Sequence, residues 1–278
     1  MERLTGLTPD GIEVTGELKR HSYDAEAVEL LWSAAETWQL FPAIGETGTR
    51  GMDALLTAWC ERMRTEAPDP DSACAVNWPS RDALAIRAFL DHGFVPLSSL
   101  AVRTAPPPAP TARTTDTTVR RARPGDFDAA LALIATTFDY TGLIASPKRA
   151  NTADLLAPGL RRRIEGNGPV WVAERDGELV GIAECDRIDS APGSWAAELL
   201  PHGQWGYVNN VVTAPAMRGN GVGQALMSLV HNEFHREGTM GTFLYYNPPS
   251  PLASVFWPRQ GYRPLWTNWE IRPASALR

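Results

Sequence analysis

The residues whose types and spacing most clearly indicate chemistry lie between Val211 and Met227, where three alternating glycines join a strand-like run to a helical pattern. Glycine lets the backbone turn tightly and approach a ligand, because it carries no Cβ. The helix that follows presents N–H groups without intrahelical acceptors and the positive end of its dipole. Gly219, Gly221 and Gly223 therefore predict a diphosphate site. A tight turn alone would need one glycine.

Two well-known phosphate-binding motifs do not fit this segment. A P-loop requires Gly-Lys-Ser/Thr at the start of the helix, where this chain has Gly223-Gln224-Ala225. A Rossmann fingerprint requires Gly or Ala in its last position, and counting from Gly219 that position holds Gln224. The sequence therefore disfavours nucleotide hydrolysis and NAD binding.

The elements that must position the loop follow from hydrophobic patterning. Two β-rich runs flank Asp176-Gly177 and predict a hairpin. Gly238 predicts the end of the helix that follows the loop. Strands are predicted at 119–122, 170–174, 179–188, 205–213, 242–246 and 262–272, the last closing the sheet. Helices are predicted from 124 through 138, at 151–165 with an interruption near Pro158, at 225–237, and just before 260–261. These elements predict a mixed α/β layer.

Length and an internal repeat predict two domains. A chain of 278 residues is long for a single small module. Residues 104–118 are rich in Thr and Pro and predict an extended linker between domains at 1–103 and 119–278. Residues 257–265 repeat the aromatic, Gly, aromatic, Pro and Leu of residues 89–97, 168 positions earlier. We interpret the repeat as a duplication, with coincidence as the alternative.

The glycine segment resembles the acyl-CoA loop of the GNAT superfamily of N-acetyltransferases. The signature of that loop, Q/R-x-x-G-x-G/A, is matched by Arg218, Gly221 and Gly223. The preceding hairpin, the strand leading in, the helix leading out and the late Trp257 and Tyr262 fit the family over residues 119–272. The first part resembles a degenerate copy that lacks three loop residues. The resemblance implies a tandem GNAT (acyl-CoA N-acyltransferase) fold of the α/β class, with an α+β mixed sheet.

The resemblance also implies acetyl-CoA as co-substrate, without a metal. The backbone amides expected to bind its pyrophosphate belong to Arg218, Gly219, Asn220, Gly221, Val222, Gly223 and Gln224. The residues expected to pair with pantetheine along an opened strand edge are Val211, Val212 and Thr213, and Asn247 is a further expected contact. In the first copy Asp53 would place negative charge where phosphate would lie, so we expect that copy not to bind CoA.

The resemblance leaves the catalytic residues less defined. The position where the family often has a Tyr acid holds Trp257, so either another group protonates the thiolate, or the thiolate leaves unassisted, or activity is lost. Tyr245, Tyr246 and Asn247 are the nearest substitutes, and Tyr246 is predicted as the acid. Tyr207 stands where lysine-acetylating members have a Glu base.

Several side chains are candidates for the base. Glu184 is the carboxylate predicted to serve, with a solvent-facing strand residue as the alternative. Asn209 and Asn210 are poor strand formers, so one of them faces the cleft or the strand carries a local bulge. Glu198 and His202 are bases or surface groups in a long connection predicted to cover the acceptor pocket.

Other groups are predicted to have no chemical role. His231 and His235 have a spacing that can hold zinc, but we expect both to face solvent. The run 161–163 of three arginines predicts a solvated helix face. Cys60, Cys74 and Cys185 form no CxxC pair and predict buried, reduced thiols.

Composition and charge narrow the function further. The net charge of −6 disfavours nucleic acid and membrane partners. The start of the chain lacks the pattern of a secretory signal, which predicts a cytoplasmic protein. A monomer or a homodimer is expected. The expected function is transfer of an acetyl group from acetyl-CoA to a primary amine of a small molecule. The alternatives are a non-catalytic acyl-CoA-binding regulatory module and a protein lysine or N-terminal acetyltransferase.

Overall fold

A computed structural model describes residues 2–107, 116–145 and 147–277. Their strands form one mixed sheet of eleven, with helices on both faces. The strands are β1 Glu2–Leu7, β2 Glu13–Ser22, β3 Glu36–Ala43, β4 Ser72–Pro79, β5 Val95–Arg103, β6 Thr118–Arg121, β7 Val170–Arg175, β8 Glu178–Asp189, β9 Gln204–Thr213, β10 Gly241–Tyr246 and β11 Arg263–Ile271. The α-helices are α1 Gly48–Met63, α2 Ala83–Asp91, α3 Phe127–Thr141, α4 Thr152–Glu165, α5 Val222–Arg236 and α6 Ala253–Arg259.

The order of the strands shows that the two halves exchange their last strands. The order is β1-β2-β3-β4-β11-β5-β10-β9-β8-β7-β6. β11 pairs with β4 of the first half, and β5 pairs with β10 of the second half. The prediction that residues 262–272 close the sheet was therefore wrong, because β11 lies at its centre. Pairing across this chain distance leaves no local signal in the sequence.

The fold contains the repeat that the sequence predicts. The series β1-β2-β3-α1-β4-α2-β5 recurs in the same order as β7-β8-β9-α5-β10-α6-β11. Glu2–Leu7 and Val170–Arg175 lie 168 positions apart at both ends. β6, α3 and α4 belong to the second half alone within the described residues. The mixed α/β class is confirmed.

Local predictions of element type agree with the structure except at one proline. The hairpin of β7 and β8 turns at Asp176 and Gly177, both with positive φ, as a two-residue turn requires. Helix α5 ends before Gly238, which has a φ of 74°. The predicted interruption at Pro158 was wrong, since α4 continues through it. Leu155 and Leu160 are buried on either side of the proline, and this burial holds the helix together.

Three apolar clusters hold helices onto the sheet. The first lies between α1, α2 and strands of the first half, and it includes Trp269 and Ile271 of β11. The second packs α5 and α6 against the same face of the second half and includes Ala101 of β5. The third covers the opposite face with α3 and α4. Each half therefore completes its core with a strand of the other.

The remaining predictions about chain organisation concern the linker, the cysteines and the membrane. Residues 108–115 of the predicted linker lie outside the described residues, and residue 118 already belongs to β6. All three cysteines are buried and free, as predicted. None of the helices in the described ranges combines the length and apolarity needed to span a membrane.

Candidate active site

The centre of the site is a gap between two parallel strands. β9 and β10 pair only from Trp205–Gly241 to Tyr207–Phe243. Beyond that point β10 continues beside β5, and β9 continues beside β8. Among the described strands, none therefore pairs with the backbone edge of 208–213 on the β10 side, and its polar groups are open to a ligand.

A cavity of about 1000 Å³ occupies this gap. It is lined by the end of β9, the glycine loop, the first turn of α5, the end of β10 and helix α6. All sequence-predicted site residues line it except Glu184, Asn220 and the candidate bases Glu198 and His202. Asn220 is exposed on the loop, and Glu184 lies buried behind the cavity wall.

The glycine loop has the conformation that its composition requires. Gly219 and Gly221 have φ values of 82° and 83°, in the left-handed region that favours glycine. Gly221 is the N-cap of α5, so the helix begins at Val222, three residues earlier than predicted. Gly223 lies in the first turn, where N–H groups lack intrahelical acceptors. The loop and the start of α5 line the cavity, and this geometry suits an anionic group.

A polar cluster supports the wall of β9. The side chains of Asn209 and Asn210 both donate from Nδ2 to Oε2 of Glu184, at 3.1 and 2.6 Å. Arg163 donates to Oε1 of the same carboxylate at 2.9 Å. The register between β8 and β9 shifts at Asn209, so the strand carries a bulge. Sequence analysis gave a cleft-facing asparagine and a local bulge as alternatives. Both are present, because the bulge lets Asn209 and Asn210 line the cavity.

Arg163 is the residue of this cluster that sequence analysis missed. Its side chain is 18% exposed and also donates to Asp186 at 3.1 Å. The prediction of a solvated face for 161–163 was therefore wrong for Arg163. The pattern of α4 places it near the buried stripe of Leu160 and Ile164, and that proximity was the available signal.

Tyrosines contribute to the aromatic part of the wall. The ring of Tyr207 stacks on Phe243 with 4.8 Å between centroids and meets Tyr245 edge-on. Burial raises the pKa of Tyr207, and it also raises the pKa of Tyr246. Both phenols therefore keep their protons near neutral pH.

The family's usual acid position holds an apolar contact here. Trp257 is 9% exposed and packs edge-on against Phe256 and Tyr262. Asn247 follows β10 and donates from Nδ2 to the Leu97 carbonyl oxygen at 2.9 Å. This bond joins the site to a strand of the first half.

The first half supplies part of the cavity wall, with residues that sequence analysis did not identify. Gln39 of β3 and Asn77 of β4 lie on the cavity face of the sheet, opposite the buried Cys74 and Val76. The lining residues contributed by the first half and β11 are Trp32, Ser33, Gln39, Asn77, Leu97, Ser98 and Asn268. Only the strand exchange brings them to the glycine loop, so local patterning could not identify them.

Three predicted residues lie elsewhere. Glu198 is exposed, and Nδ1 of His202 is 3.2 Å from the Ser190 carbonyl oxygen. From their connection only Leu199 lines the cavity. Asp53 lies in the second turn of α1 and binds Nε2 of His92 at 2.8 Å, so it does not stand at the start of the helix.

His231 corrects another prediction. It is 5% exposed, and its Nε2 is 3.1 Å from the hydroxyl of Tyr262. Burial, with a smaller contribution from the positive charge of Arg103, lowers the pKa of His231 to about 3. The prediction of solvent exposure was wrong because the buried stripe of α5 is wider than its leucines indicate.

The splayed strands β9 and β10 and the glycine loop are features of the acyl-CoA N-acyltransferase fold. Residues 166–264 match the family model of the acetyltransferase (GNAT) domain. This segment runs from just before β7 to the start of β11. The chain therefore contains a GNAT acetyltransferase domain and is an acyltransferase.

One solved structure shares this fold over most of the chain, and others are similar to part of it. The GCN5-related N-acetyltransferase of Sphaerobacter thermophilus aligns over 96% of this chain and 80% of its own, with a TM-score of 0.57 and 18% identity. The PaiA N-acetyltransferase of Thermoplasma acidophilum, in complex with coenzyme A, covers 56% of this chain and 98% of its own (TM-score 0.43, 14% identity). A predicted acetyltransferase of Clostridium acetobutylicum with acetyl-CoA covers 50% and 88% (TM-score 0.40, 20% identity). No curated protein matches the sequence.

Proposed function

We propose that the chain transfers an acetyl group from acetyl-CoA to a primary amine of a small molecule, by direct attack of the amine on the thioester. The observation that carries the proposal is the gap between β9 and β10, which ends at a glycine loop and a helix N-terminus in one cavity. Such a gap offers peptide groups to an amide-containing chain and N–H groups to a diphosphate.

The residues of the cavity fit acetyl-CoA. Gly219 and Gly221 adopt a backbone that other residues rarely adopt, and open space surrounds the Cβ position of Gly219. The amides of 218–224 would hold the pyrophosphate, and the edge of 211–213 would pair with pantetheine, with Asn247 near the thioester. Acetyl-CoA supplies the activated acetyl group when it is bound.

The side chains near the gap would divide the catalytic work. Tyr246 ends β10 in the cavity and keeps its proton at neutral pH, as a donor to the leaving sulfur must. Tyr207 would shape the floor beside the reacting atoms. Glu184 does not line the cavity and is bound by Arg163 and two asparagines. We therefore assign Glu184 a positioning role, in which it orients Asn209 and Asn210.

We also propose that residues 1–103 and 119–278 are two copies of one unit with different tasks. The second copy would bind acetyl-CoA. The first copy would supply the floor of the acceptor site through Gln39 and Asn77. The hydrogen bond of Asn247 to Leu97 supports this division, because it fixes the two copies together beside the cavity.

Calorimetric titration with acetyl-CoA tests the proposal. We expect saturable binding by the wild type and an affinity lower by about 100-fold or more in Gly221→Asp, since the new carboxylate repels phosphate. Gly45→Asp is the matched control, because Gly45 also has a positive φ, yet lies before α1. Absence of acetyl-CoA binding by the wild type, or equal affinity in both variants, would contradict the proposal.

A further inference from the structure

The cavity wall carries polar side chains but no acidic group. Among the described residues that line it, none is Asp, Glu, His or Lys. The lining residues that can carry charge are Tyr140, Tyr207, Tyr245, Tyr246, Arg218 and Arg259. The two arginines belong to the glycine loop and the end of α6. The wall therefore offers no countercharge to an ammonium ion.

Carboxamides take the place of the missing carboxylates, and their orientation is fixed. Asn209 and Asn210 donate from Nδ2 to Glu184, and Asn268 donates from Nδ2 to Oε2 of Glu270 at 3.2 Å. A carboxylate only accepts hydrogen bonds, so the amide nitrogen must be the group that faces it. The same holds for Asn247, whose nitrogen faces the Leu97 carbonyl oxygen.

This orientation leaves four carboxamide oxygens for a ligand. Within the described part of the chain, no hydrogen bond is donated to the Oδ1 atoms of Asn209, Asn210, Asn247 or Asn268. All four residues line the cavity. The wall therefore presents neutral acceptors, which favour a molecule that carries several N–H or O–H donors.

The carboxylates behind the wall are neutralised. Glu184 is 2% exposed and forms its ion pair with Arg163, which also binds Asp186. Glu270 is 4% exposed and forms its ion pair with Arg272. An ammonium ion that enters the cavity would lose hydration without gaining an unpaired negative charge. An uncharged amine would lose much less hydration free energy on entering the cavity.

We infer that the acceptor is a small molecule with a weakly basic primary amine that enters uncharged, and with hydroxyl or amide donors that bind the oxygens of Asn209, Asn247 and Asn268. The inference rests on the proposed acetyl transfer. In that reaction the amine nitrogen forms a bond to the acetyl carbon and the carbon–sulfur bond breaks. One proton passes from nitrogen to sulfur, so the products are the amide and the free thiol of CoA.

The expected preference for a weakly basic amine over a strongly basic one follows from the fraction of each that is uncharged. An α-amine titrates near 7.7–8.0 and a lysine side chain near 10.4, so at pH 7 about a tenth of the first and less than a thousandth of the second is uncharged. Without a base in the wall, the ratio of kcat/KM values at pH 7 is expected to be about 300-fold in favour of the α-amine.

Two short peptide amides without carboxylates test the inference. Serylglycinamide carries a weakly basic α-amine and a hydroxyl, and Nα-acetyl-lysinamide carries a strongly basic amine. Product formation is followed by mass spectrometry between pH 6 and 9. For each acceptor we expect kcat/KM to rise tenfold per pH unit and to level near the pKa of its own amine. Levelling of the lysinamide profile below pH 8 would reveal a base on the protein and overturn the inference.

A binding measurement gives a readout that does not depend on turnover. Each acceptor is titrated at pH 7 into protein saturated with CoA, in two buffers of different ionisation enthalpy. Binding of the uncharged form predicts release of about 0.9 proton per serylglycinamide bound. Binding without proton release would overturn the inference.

The outcomes separate this inference from the proposed function. Acetyl-CoA is titrated into the same sample, and absence of its binding would contradict the proposed function itself. Binding of acetyl-CoA, with neither peptide amide bound or acetylated, would contradict the acceptor class alone.

A substitution in the wall tests its charge directly. Asn77 lies beside Asn268 across β4 and β11. Asn77→Asp places a carboxylate in the wall with little change in shape. We expect it to lower the ratio of kcat/KM for serylglycinamide to kcat/KM for Nα-acetyl-lysinamide by about tenfold. Asn232→Asp, on the exposed side of α5, is the matched control and should leave the preference unchanged. An unchanged preference in Asn77→Asp would contradict the inference.

Discussion

The two halves of the molecule share one order of elements but differ at the strand that borders each gap. Asn209 and Asn210 of β9 correspond to Phe41 and Pro42 of β3, 168 positions earlier, and Glu184 corresponds to Gly16. β9 carries a bulge at Asn209, whereas β3 pairs with β2 without a register shift. The fold can therefore form without the polar cluster, and we assign the cluster to function.

Each half has a gap where its two parallel strands stop pairing, and the two gaps begin at different positions. The pairing of β3 with β4 extends to Leu40–Val76, one position further than the pairing of β9 with β10. At the start of α1, Thr49 donates from Oγ1 to the Leu84 carbonyl oxygen at 2.6 Å and so ties α1 to α2. The start of α5 instead lines the large cavity. The start of α1 is therefore tied to α2, whereas the start of α5 faces the cavity.

The shorter first half also explains the shape of the cavity. α3 and α4 cover one face of the second half, and the described part of the first half has no counterparts of these helices. The same face of β3 and β4 is therefore available to line the cavity, with Gln39 and Asn77. The absence of this covering layer from the described part of the first half therefore leaves Gln39 and Asn77 free to line the cavity.

The largest expected effect comes from the ion pair that only the second half contains. Arg163→Ala leaves the Glu184 carboxylate buried without its cation, and we expect it to lower the free energy of unfolding by about 3–5 kcal/mol. Urea unfolding followed by circular dichroism measures this change. Glu184→Gln in the Arg163→Ala background removes the unpaired charge and should restore part of the stability.

The first half supplies the control for this prediction. Arg87 forms a solvent-exposed pair with Asp91 on α2. Arg87→Ala should leave the unfolding midpoint unchanged, because water screens exposed pairs. Equal losses in Arg87→Ala and Arg163→Ala would show that burial of Glu184 has no special cost.

Sequence analysis identified the features that neighbouring residues determine. The glycine loop, the Asp176-Gly177 hairpin and the strands and helices of the repeat depend on local backbone preferences, so their residues carry the signal. The exchange of β5 and β11 depends on pairing across the whole chain, and no local pattern encodes it. The pairing of Arg163 with Glu184 depends on how α4 packs on β8, so the sequence indicated Glu184 without its partner.

The second prediction converts one position of the second half into its first-half counterpart. Asn209→Phe removes a hydrogen bond to Glu184 and fills part of the cavity. We expect turnover to fall by about 100-fold, while acetyl-CoA still binds through the distant loop. Mass spectrometry of the acetylated product and calorimetry measure the two effects. Phe41→Asn is the reciprocal control and should leave turnover unchanged, and equal turnover in both variants would remove the assigned role of Asn209.

The third prediction concerns the dependence of stability on pH. The pKa of His231 is about 3 in the folded protein and near 6.5 when unfolded, so the unfolded state takes up the proton first as pH falls. Stability from this residue is therefore complete above pH 6.5 and declines below it, by at most about 1.4 kcal/mol per pH unit.

The first half again suggests the variant. Cys60 occupies the position in α1 that His231 occupies in α5, five residues after Leu55 and Leu226 respectively. His231→Cys should flatten the decline of stability between pH 6.5 and 4.5, measured by urea unfolding at each pH, while Thr242 still binds the hydroxyl of Tyr262. His235→Gln, on the exposed side of the same helix, is the control. An unchanged slope in His231→Cys would assign the acid sensitivity to other groups.

The smallest effect is expected at the position where the family resemblance predicts an acid. Trp257 corresponds to Phe89 of the first half, and both side chains are buried among aromatic rings. Because indole cannot donate a proton at neutral pH, Trp257→Phe removes only packing and should leave kcat within about threefold of the wild type. Tyr246→Phe, which removes a phenol at the end of β10, should lower kcat more. A larger loss in Trp257→Phe than in Tyr246→Phe would instead show that packing at α6, rather than the phenol on β10, limits the reaction.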